Sequence, residues 1–308
     1  MAVGKEEITP SHCEACQAIM DKKTAYLFTI KETCPNLDVN SARLHTTEGQ
    51  FNDILFINDD LIFRFPRYEE SIQNFLREIK LLQILQGYVS LPVPNPIYIS
   101  AGTSVVGKVF MGYKMLPGKP LFRNVLSGIT DKSILETFAR QLANFLHGLH
   151  TFSPTELGLD LPHQEQLTEY RTFFSDIKEH LFAFMRPDAR DSINEHFENY
   201  FDNPSLHEYT PSIIHGDFGG SNILFEENKI TGIIDFGFAG LSDPARDIAS
   251  VSTFGDPFFA RICRHYPNIE SLLERANFYR GTYALYEALH GFRNNDKEAF
   301  ESGMEQYL

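Results

Sequence analysis

The segment from Ser212 to Gly237, SIIHGDFGGSNILFEENKITGIIDFG, constrains the fold more strongly than any other part of the chain. Two apolar runs, 223–225 and 230–234, flank a polar turn at 226–229, and this pattern predicts a buried β-hairpin. Polar residues stand at both ends of the hairpin, where a buried strand normally excludes them. The segment therefore predicts a site in which carboxylate and amide groups serve a chemical function.

The spacing of three polar residues indicates what that chemistry is. Asp217 precedes the hairpin, Asn222 opens its first strand, and Asp235 closes its second strand. Pairing of the strands brings the Asn222 and Asp235 ends together. Mg²⁺ prefers oxygen ligands and usually takes one or two carboxylates plus phosphate oxygens. Asn222 and Asp235 are thus candidate metal ligands, and Asp217 is left to accept the proton of a hydroxyl group.

The order Asp-x4-Asn followed by Asp-Phe-Gly is the catalytic core of protein kinase-type phosphotransferases. A single aspartate on a glycine-rich loop would instead be explained by a turn that its side chain caps. The joint occurrence of His215, Asp217 and Asn222 with a strand–turn–strand and then Asp235 disfavours that explanation. The segment predicts phosphoryl transfer.

The longer pattern HGDFGGSNILF, followed by GIIDFGFAGLSDPARDIA, resembles the aminoglycoside phosphotransferase family. This family is a branch of the kinase-like superfamily that includes macrolide kinases. The acidic motif from Asp243 to Asp247 is typical of this branch rather than of protein kinases. IFRFPR and ITGIIDFG are nearest in texture to the 2″-aminoglycoside kinases, and GTYALYEALHGF is similar to macrolide 2′-phosphotransferases.

The resemblance covers nearly the whole chain and implies a role for each motif residue. It implies that Asp217 is the catalytic base and that Asn222 and Asp235 bind Mg²⁺. It further implies structural support behind the catalytic loop from His215, Asp243 and Asp247. Acidic side chains are favoured at a helix N-terminus, where we expect the two aspartates of that group.

The nucleotide site is less regular in sequence. The chain has no GxxxxGK[ST] motif, which excludes a Walker loop. Gly49 lies where the family has its phosphate-covering loop. Arg64 takes the place of the usual lysine on the third strand, with Glu78 as its expected partner, while Arg67 is expected to face solvent. Arginine keeps the charge with a different geometry, so either Arg64 positions the phosphates or the chain is a non-catalytic binder of kinase fold.

The stretch VFMGYKMLPGKPL resembles the hinge that contacts the nucleotide base through its backbone, here at Lys114 and Met115. Tyr113 falls near the gatekeeper position, where the resemblance implies a preference for GTP over ATP. A core aromatic residue on a strand is the alternative role for Tyr113. The donor is therefore predicted to be ATP or GTP.

The acceptor site is expected between the catalytic loop and the C-terminal helices. Aminoglycosides carry several ammonium groups, and Asp256 and Glu287 are candidate carboxylates for binding them. A solvated helix face is the alternative for each of them. The apolar helix after Asp247 is more similar to macrolide kinases. An aminoglycoside is the first choice of acceptor and a macrolide the second, with an amino sugar or amino alcohol metabolite also open.

The coarse pattern predicts an α+β, bilobal protein kinase-like fold with a small β-rich N-lobe and a larger, mainly helical C-lobe. Alternating runs at 53–57 and 61–65 predict a hairpin, and a helical stripe follows from Ile72 to Leu85. We expect a nucleotide-binding lobe over residues 1–116 and a catalytic, substrate-binding lobe over residues 117–308.

Composition narrows the class of partner. The chain has 27 Lys and Arg residues against 41 Asp and Glu residues, a net charge of −14, which disfavours nucleic acid. No apolar run approaches the ~18–20 residues of a membrane span, and the opening MAVGKEEITPSH lacks an apolar signal region. These features predict a cytoplasmic enzyme with a small-molecule substrate, as a monomer or weak dimer.

The cysteines give no metal motif. Cys13 and Cys16 form a CxxC beside His12, but no second ligand pair follows at zinc spacing. We expect Cys13 and Cys16 to be free thiols on one face of an N-terminal helix; the other two cysteines are Cys34 and Cys263.

Overall fold

The structure, a computed structural model, describes residues 14–46, 51–100, 102–152 and 166–308, with side chains from Lys22 onward. The chain divides into two compact units. The first contains the described residues up to Gln83 together with Pro94–Met115, and the second contains Ile84–Val93 together with Leu116–Leu308.

The first unit is an antiparallel sheet with two helices. Its elements, in chain order, are α1 (Glu14–Thr33), β1 (Ala42–His45), β2 (Asn52–Ile57), β3 (Leu61–Pro66), α2 (Ile72–Leu85), β4 (Tyr98–Ile99) and β5 (Met111–Lys114). The five strands lie in the order β1-β2-β3-β5-β4. The predicted hairpin is confirmed as the β2–β3 pair, in which Ile57 faces Leu61. Asn58 and Asp59 form its turn with φ of 53° and 58°, a left-handed conformation that asparagine and aspartate tolerate.

Period-two alternation in β2 and β3 builds the core of this unit. Leu55, Ile57, Phe63 and Phe65 are fully buried on one face of the sheet. Helix α1 covers this face, and its Tyr26 ring stacks on Phe65 with centroids 3.9 Å apart. Aromatic packing therefore holds the N-terminal helix against the sheet.

The second unit is mainly helical. Its elements are β6 (Lys119–Pro120), α3 (Arg123–Ser127), α4 (Lys132–His150), α5 (Gln166–His180), α6 (Pro187–Asp202), β7 (Ser212–Ile214), β8 (Ile223–Glu226), β9 (Lys229–Ile233), β10 (Gly240–Ser242), α7 (Ala245–Val251), α8 (Asp256–His265), α9 (Glu270–Asn294) and α10 (Lys297–Met304). Its strands form two small sheets, β6-β8-β9 and β10-β7. The β8–β9 pair is the hairpin that the sequence predicts at 223–234.

Helix α4 is the base on which that hairpin rests. Asp131 caps the helix by accepting a hydrogen bond from the Ser133 amide (2.7 Å). Farther along the helix, Phe145 stacks on Phe218 of the loop after β7. The Gln141 side chain accepts a hydrogen bond from the Ile230 amide of β9 (3.1 Å). The helix thus fixes both strands that carry the polar residues of the predicted site.

The exposure predicted for Arg67 is wrong. Its side chain is 18% exposed and its Nε donates to the fully buried carboxylate of Asp53 (2.7 Å). Position 67 directly follows β3, the central strand of the sheet. Its side chain folds back over the sheet rather than into solvent. Strands β1, β6 and β10, which the sequence did not single out, are two to four residues long and leave little periodic signal.

None of the helices in the described parts of the chain is long and apolar enough to span a membrane. Cys34 and Cys263 are free thiols. Cys13 lies outside the described residues, and only the main chain of Cys16 is described.

An ion-pair cluster joins α4 to α8, and it gives a pH-dependent prediction. Glu136 accepts hydrogen bonds from His265 (2.7 Å) and Arg261 (2.7 Å), which lower its pKa from 4.5 to about 2. A lowered pKa in the folded state stabilises the protein above the unfolded pKa, and this stabilisation is lost as pH falls through the folded value. Replacing Glu136 with Gln should therefore lower the melting temperature near neutral pH. The difference from wild type should shrink as pH falls from 4.5 toward 2.

Thermal melts of both proteins over this pH range measure the effect. Glu195→Gln, at an exposed position of α6, is the matched control and should match wild type throughout. A destabilisation of Glu136→Gln that stays constant with pH would contradict the prediction.

Candidate active site

The loop between β7 and β8 is held by its own backbone bonds. The Gly219 amide donates to the Asp217 carbonyl (2.9 Å), and the Asn222 amide donates to the Gly219 carbonyl (3.0 Å). Gly216 has φ of 82° and lies directly against the Phe238 carbonyl, so no side chain fits there. This turn leaves the Asp217 side chain exposed at the tip of the loop.

Asn222 fixes the orientation of Asp217. Its side-chain Nδ2 donates to the Asp217 carbonyl (2.9 Å) and to carboxylate Oδ2 (2.8 Å). Both partners are acceptors only, so the amide must direct its NH₂ toward Asp217 and its Oδ1 away from it. The buried Asn222 amide thus holds the Asp217 carboxylate through its NH₂ group and directs its own Oδ1 away from Asp217.

Asp235 lies beside this pair along the backbone. The amide of Ile234 donates to the Asn222 carbonyl (2.9 Å), which ties the end of β9 to the start of β8. Asp235 itself is exposed and adopts φ of 62°, a conformation that is uncommon for a residue other than glycine. The structure therefore brings together the three positions predicted from the sequence spacing.

This donor set suits Mg²⁺. Asn222 contributes a neutral amide oxygen and Asp235 a carboxylate, the oxygen ligands that Mg²⁺ prefers. Within the described side chains, no group of three or more His, Cys, Asp or Glu residues could hold a metal. A cation held by Asn222 and Asp235 would have only two protein ligands from this pair, and oxygens of water or phosphate would complete its coordination.

Behind the loop, Asp247 is the principal support. Its fully buried carboxylate accepts hydrogen bonds from the amides of His215 (2.8 Å) and Gly216 (3.0 Å). His150 of α4 also bonds it through Nε2 (3.0 Å), while its Nδ1 contacts the Tyr266 hydroxyl (2.8 Å). Burial alone would raise the pKa of Asp247, but the bond and charge of His150 outweigh it, and the pKa is lowered.

His215 links the two strands by its ring. Its Nδ1 accepts a hydrogen bond from the Asp217 amide (3.2 Å), which requires this nitrogen to be unprotonated. Its Nε2 then donates to the Ile234 carbonyl (3.0 Å). A neutral imidazole with both nitrogens bonded to backbone holds the loop to the end of β9.

Asp243 occupies a different place from Asp247. Its buried carboxylate pairs with Arg275 (2.6 Å to Nε) and accepts a hydrogen bond from the Tyr279 hydroxyl (2.9 Å). Both aspartates were expected to support the loop that carries Asp217, but the bonds of Asp243 go to α9 and to the Ala245 amide (3.0 Å). This aspartate anchors the C-terminal helix.

In the first unit, Arg64 and Glu78 form a buried ion pair, with Nη1 and Oε1 2.5 Å apart. Tyr113 is buried on β5, opposite Ile62 of β3. Lys114 and Met115 are exposed, and the Met115 amide donates to the Asp60 carbonyl (2.8 Å). Gly49 lies outside the described residues.

The two candidate acceptor carboxylates lie on the C-terminal helices. Asp256 begins α8, is well exposed, and pairs with Arg280 (3.0 Å). Glu287 lies on the exposed face of α9. The partner of Asp256 reduces its attraction for an ammonium group, and Glu287 is the less compensated of the two.

Two further residues, Tyr283 of α9 and Glu169 of α5, were not predicted from the sequence. Burial raises the pKa of Tyr283 to about 12. Tyr283 also contacts Ser250 of α7 through its hydroxyl (3.2 Å). Glu169 of α5 lies 3.6 Å from Arg246. The spacing of tyrosines in GTYALYEALHGF could have indicated Tyr283. The sequence of α5 contains no pattern that indicates Glu169.

The Asp247 network gives a stability prediction. Replacing Asp247 with Ala leaves the His215 and Gly216 amides buried without their acceptor. Breaking a buried charged network of this kind costs about 3–5 kcal/mol. Urea unfolding should show a loss of that size, whereas Asp191→Ala, on an exposed position of α6, should stay within about 0.5 kcal/mol of wild type. A loss below about 1 kcal/mol for Asp247→Ala would contradict this role.

Comparison with known proteins extends these observations. The family model described as APH, phosphotransferase enzyme family, matches residues 46–279. Viomycin phosphotransferase of Streptomyces vinaceus is 26% identical over 267 residues, which cover 84% of this chain and 91% of that protein. The complex of APH(2″)-IIIa with GDP and kanamycin is 26% identical with a TM-score of 0.80, over 92% of this chain and 97% of that one.

Macrolide 2′-phosphotransferase MphH of Brachybacterium faecium shares the fold. Its TM-score is 0.64 at 17% identity, over 87% of this chain and 93% of that one. These likenesses confirm the protein kinase-like fold and the class of enzyme predicted from the sequence, a phosphotransferase that acts on a hydroxyl group. The chain belongs to the APH phosphotransferase enzyme family.

Proposed function

We propose that this protein transfers the γ-phosphoryl group of ATP or GTP to a hydroxyl group of an aminoglycoside-type antibiotic. The proposal rests mainly on the arrangement of three side chains. The Asn222 amide donates from Nδ2 to Asp217 and directs its Oδ1 away from it, and Asp235 lies at the adjoining strand end. A solved relative with kanamycin and GDP bound, 26% identical over nearly the whole chain, supports both the donor and the acceptor.

In the proposed reaction, Asp217 orients the acceptor hydroxyl and takes its proton. The acceptor oxygen forms a bond to the γ-phosphorus while the bond from phosphorus to the β–γ bridging oxygen breaks, and the nucleoside diphosphate leaves. Asp217 is exposed at the loop tip, and its bonds to Asn222 keep its carboxylate in one orientation. His215 and Asp247 act through the backbone, by holding the loop that carries the base.

Asn222 and Asp235 are the residues proposed to hold Mg²⁺, which, when bound, neutralises charge on the phosphate oxygens. Arg64 is proposed to bind phosphate in place of the usual lysine. The buried carboxylate of Glu78 holds the guanidinium of Arg64 in one orientation. The guanidinium keeps the positive charge of the usual lysine, and its planar geometry matches that of a phosphate group. This arrangement favours an active enzyme over a non-catalytic binder.

The acceptor is proposed to be cationic. The protein carries a net charge of −14, which attracts a polycation at long range. Glu169, which lies 3.6 Å from Arg246 and accepts a hydrogen bond from the Tyr286 hydroxyl (3.4 Å), joins Glu287 and Asp256 as a candidate carboxylate for ammonium groups. Viomycin is the second candidate acceptor, because viomycin phosphotransferase is 26% identical over 84% of this chain.

The test is a phosphorylation screen with both nucleotides and Mg²⁺. Its arms are aminoglycosides, viomycin, a macrolide, and an amino sugar or amino alcohol. Phosphate transfer to an aminoglycoside supports the proposal. Transfer only to a compound of another arm would contradict the proposed acceptor and assign that compound in its place. No transfer in any arm, with wild-type protein that is folded, would contradict the enzyme assignment for these acceptors.

Asp217→Asn keeps the size of the side chain but removes the base. We expect kcat to fall by about 10²–10⁴-fold, the usual contribution of a general base, with nucleotide affinity unchanged. Asp188→Asn is the matched control, since Asp188 is exposed on α6 and pairs only weakly at the surface with Arg186. A kcat of Asp217→Asn within about threefold of wild type would contradict the role of Asp217 as base.

Tyr113→Ala tests the choice between nucleotides. Removing a buried ring from β5 should enlarge the site for the base and raise kcat/KM for ATP relative to GTP. Tyr98→Ala, on the neighbouring strand β4, controls for loss of a tyrosine from the same sheet. An unchanged ratio of the two kcat/KM values in Tyr113→Ala would assign Tyr113 to the core alone.

A further inference from the structure

A tyrosine outside the catalytic motifs is bonded to the network behind the catalytic loop. Tyr266 is the residue directly after α8, and its side chain is buried. Its hydroxyl lies 2.8 Å from Nδ1 of His150, the last residue of α4, although the two residues are 116 positions apart in the sequence. Its ring also packs edge-on against His147 of α4, with centroids 5.7 Å apart. Both the ring and the hydroxyl of Tyr266 therefore contact the end of α4.

The bond to Tyr266 determines which atom of His150 faces Asp247. Nε2 of His150 lies 3.0 Å from Oδ2 of Asp247. An ionised carboxylate only accepts hydrogen bonds, so Nε2 carries a hydrogen. Half a turn of the imidazole about χ2 would exchange Nε2 with carbon Cε1, which would leave Asp247 without this donor. The same rotation would move Nδ1 away from the Tyr266 hydroxyl, so the bond between Tyr266 and His150 opposes it.

A hydroxyl group can make this bond in either protonation state of His150. It donates to the lone pair of Nδ1 when the imidazole is neutral, and it accepts from the Nδ1 hydrogen when the ring is charged. Phenylalanine in place of Tyr266 would fill nearly the same space but could make neither bond. The hydroxyl, rather than the aromatic ring, is therefore the group that fixes the orientation of His150.

Asp247 connects His150 to the catalytic loop. Its Oδ2 also accepts a hydrogen bond from the His215 amide (2.8 Å), and its Oδ1 accepts one from the Gly216 amide (3.0 Å). Asp217 follows these two residues directly in the chain. Because His150 and the His215 amide share one carboxylate oxygen, a rotation of the His150 ring would change the bonding of the atom that holds the loop.

We propose that Tyr266 is a positioning residue for phosphoryl transfer, which acts on Asp217 through His150 and Asp247. This inference rests on the proposed function, in which Asp217 takes the proton of the acceptor hydroxyl. Tyr266 fixes the orientation of the His150 imidazole, and the imidazole fixes the carboxylate that holds the loop. The base is thereby kept in place by a residue that belongs to neither the catalytic loop nor the motif from Asp243 to Asp247.

The geometry separates this role from attachment of α8 to α4. Glu136 of α4 already accepts hydrogen bonds from Arg261 (2.7 Å) and His265 (2.7 Å) of α8. Removal of the Tyr266 hydroxyl leaves these bonds and the packing of its ring in place. We therefore expect the hydroxyl to affect the loop selectively.

The experiment compares wild type with Tyr266→Phe, which removes only the hydroxyl group. Steady-state kinetics use Mg²⁺, the nucleotide, and the acceptor that the phosphorylation screen identifies. We expect kcat to fall about tenfold, as for loss of one net hydrogen bond that orients the base, with KM for both substrates unchanged. Tyr26→Phe is the matched control, because Tyr26 also donates its hydroxyl to a buried carboxylate, that of Asp53 (2.6 Å). Its kcat should match wild type.

Two variant backgrounds test whether the effect passes through the named residues. In Asp217→Asn the base is absent, so addition of Tyr266→Phe should lower kcat by less than about twofold. His150→Gln keeps an N–H donor for Asp247 but has no atom in the place of Nδ1, so addition of Tyr266→Phe should again have little effect. A tyrosine that served only to stabilise the fold would lower kcat by the same factor in every background.

The outcomes distinguish this inference from the proposed function. No transfer by folded wild-type protein to any acceptor would overturn both. Transfer by wild type with an unchanged kcat in Tyr266→Phe would overturn the positioning role alone, as would an equal fall in Tyr26→Phe or an undiminished effect in either background. A fall in kcat that is confined to Tyr266→Phe and disappears in both backgrounds supports the positioning role.

Discussion

The carboxylate of Asp247 is the interaction on which the catalytic half of the protein depends. It joins helix α4, through His150, to the amides of His215 and Gly216, so three elements distant in sequence meet at one buried charge. A charge at this depth is stable only when every lone pair is bonded. Burial of this carboxylate costs free energy unless hydrogen bonds compensate for it. The bonds that provide this compensation also fix the loop that carries Asp217.

The first unit uses the same device on a smaller scale. Buried carboxylates at Glu78 and Asp53 each hold an arginine, and both arginines lie within one short stretch at the end of β3. In each case the acidic group is more deeply buried than its partner, so the carboxylate fixes the orientation of the arginine side chain.

Much of this could be predicted from the sequence where the signal is local. The β8–β9 hairpin and its polar ends lie within 26 residues, from 212 to 237, and alternation fixed β2 and β3. The Arg67–Asp53 pair, the Asp243–Arg275 pair and the position of Tyr283 were missed. Each joins residues whose types are common on any surface, and only the tertiary fold determines whether they meet. Assignment of Arg67 to solvent failed for that reason.

On helix α9, Arg275, Tyr279 and Tyr283 follow one another at four-residue intervals and therefore lie on one stripe. Arg275 and Tyr279 hydrogen-bond to Asp243, and Tyr283 contacts Ser250 of α7. Glu287 lies on the adjoining exposed face of the helix and takes no part in these contacts with Asp243 and α7. Substitutions on the exposed face of α9 would therefore leave intact the contacts that anchor this helix to Asp243 and to α7.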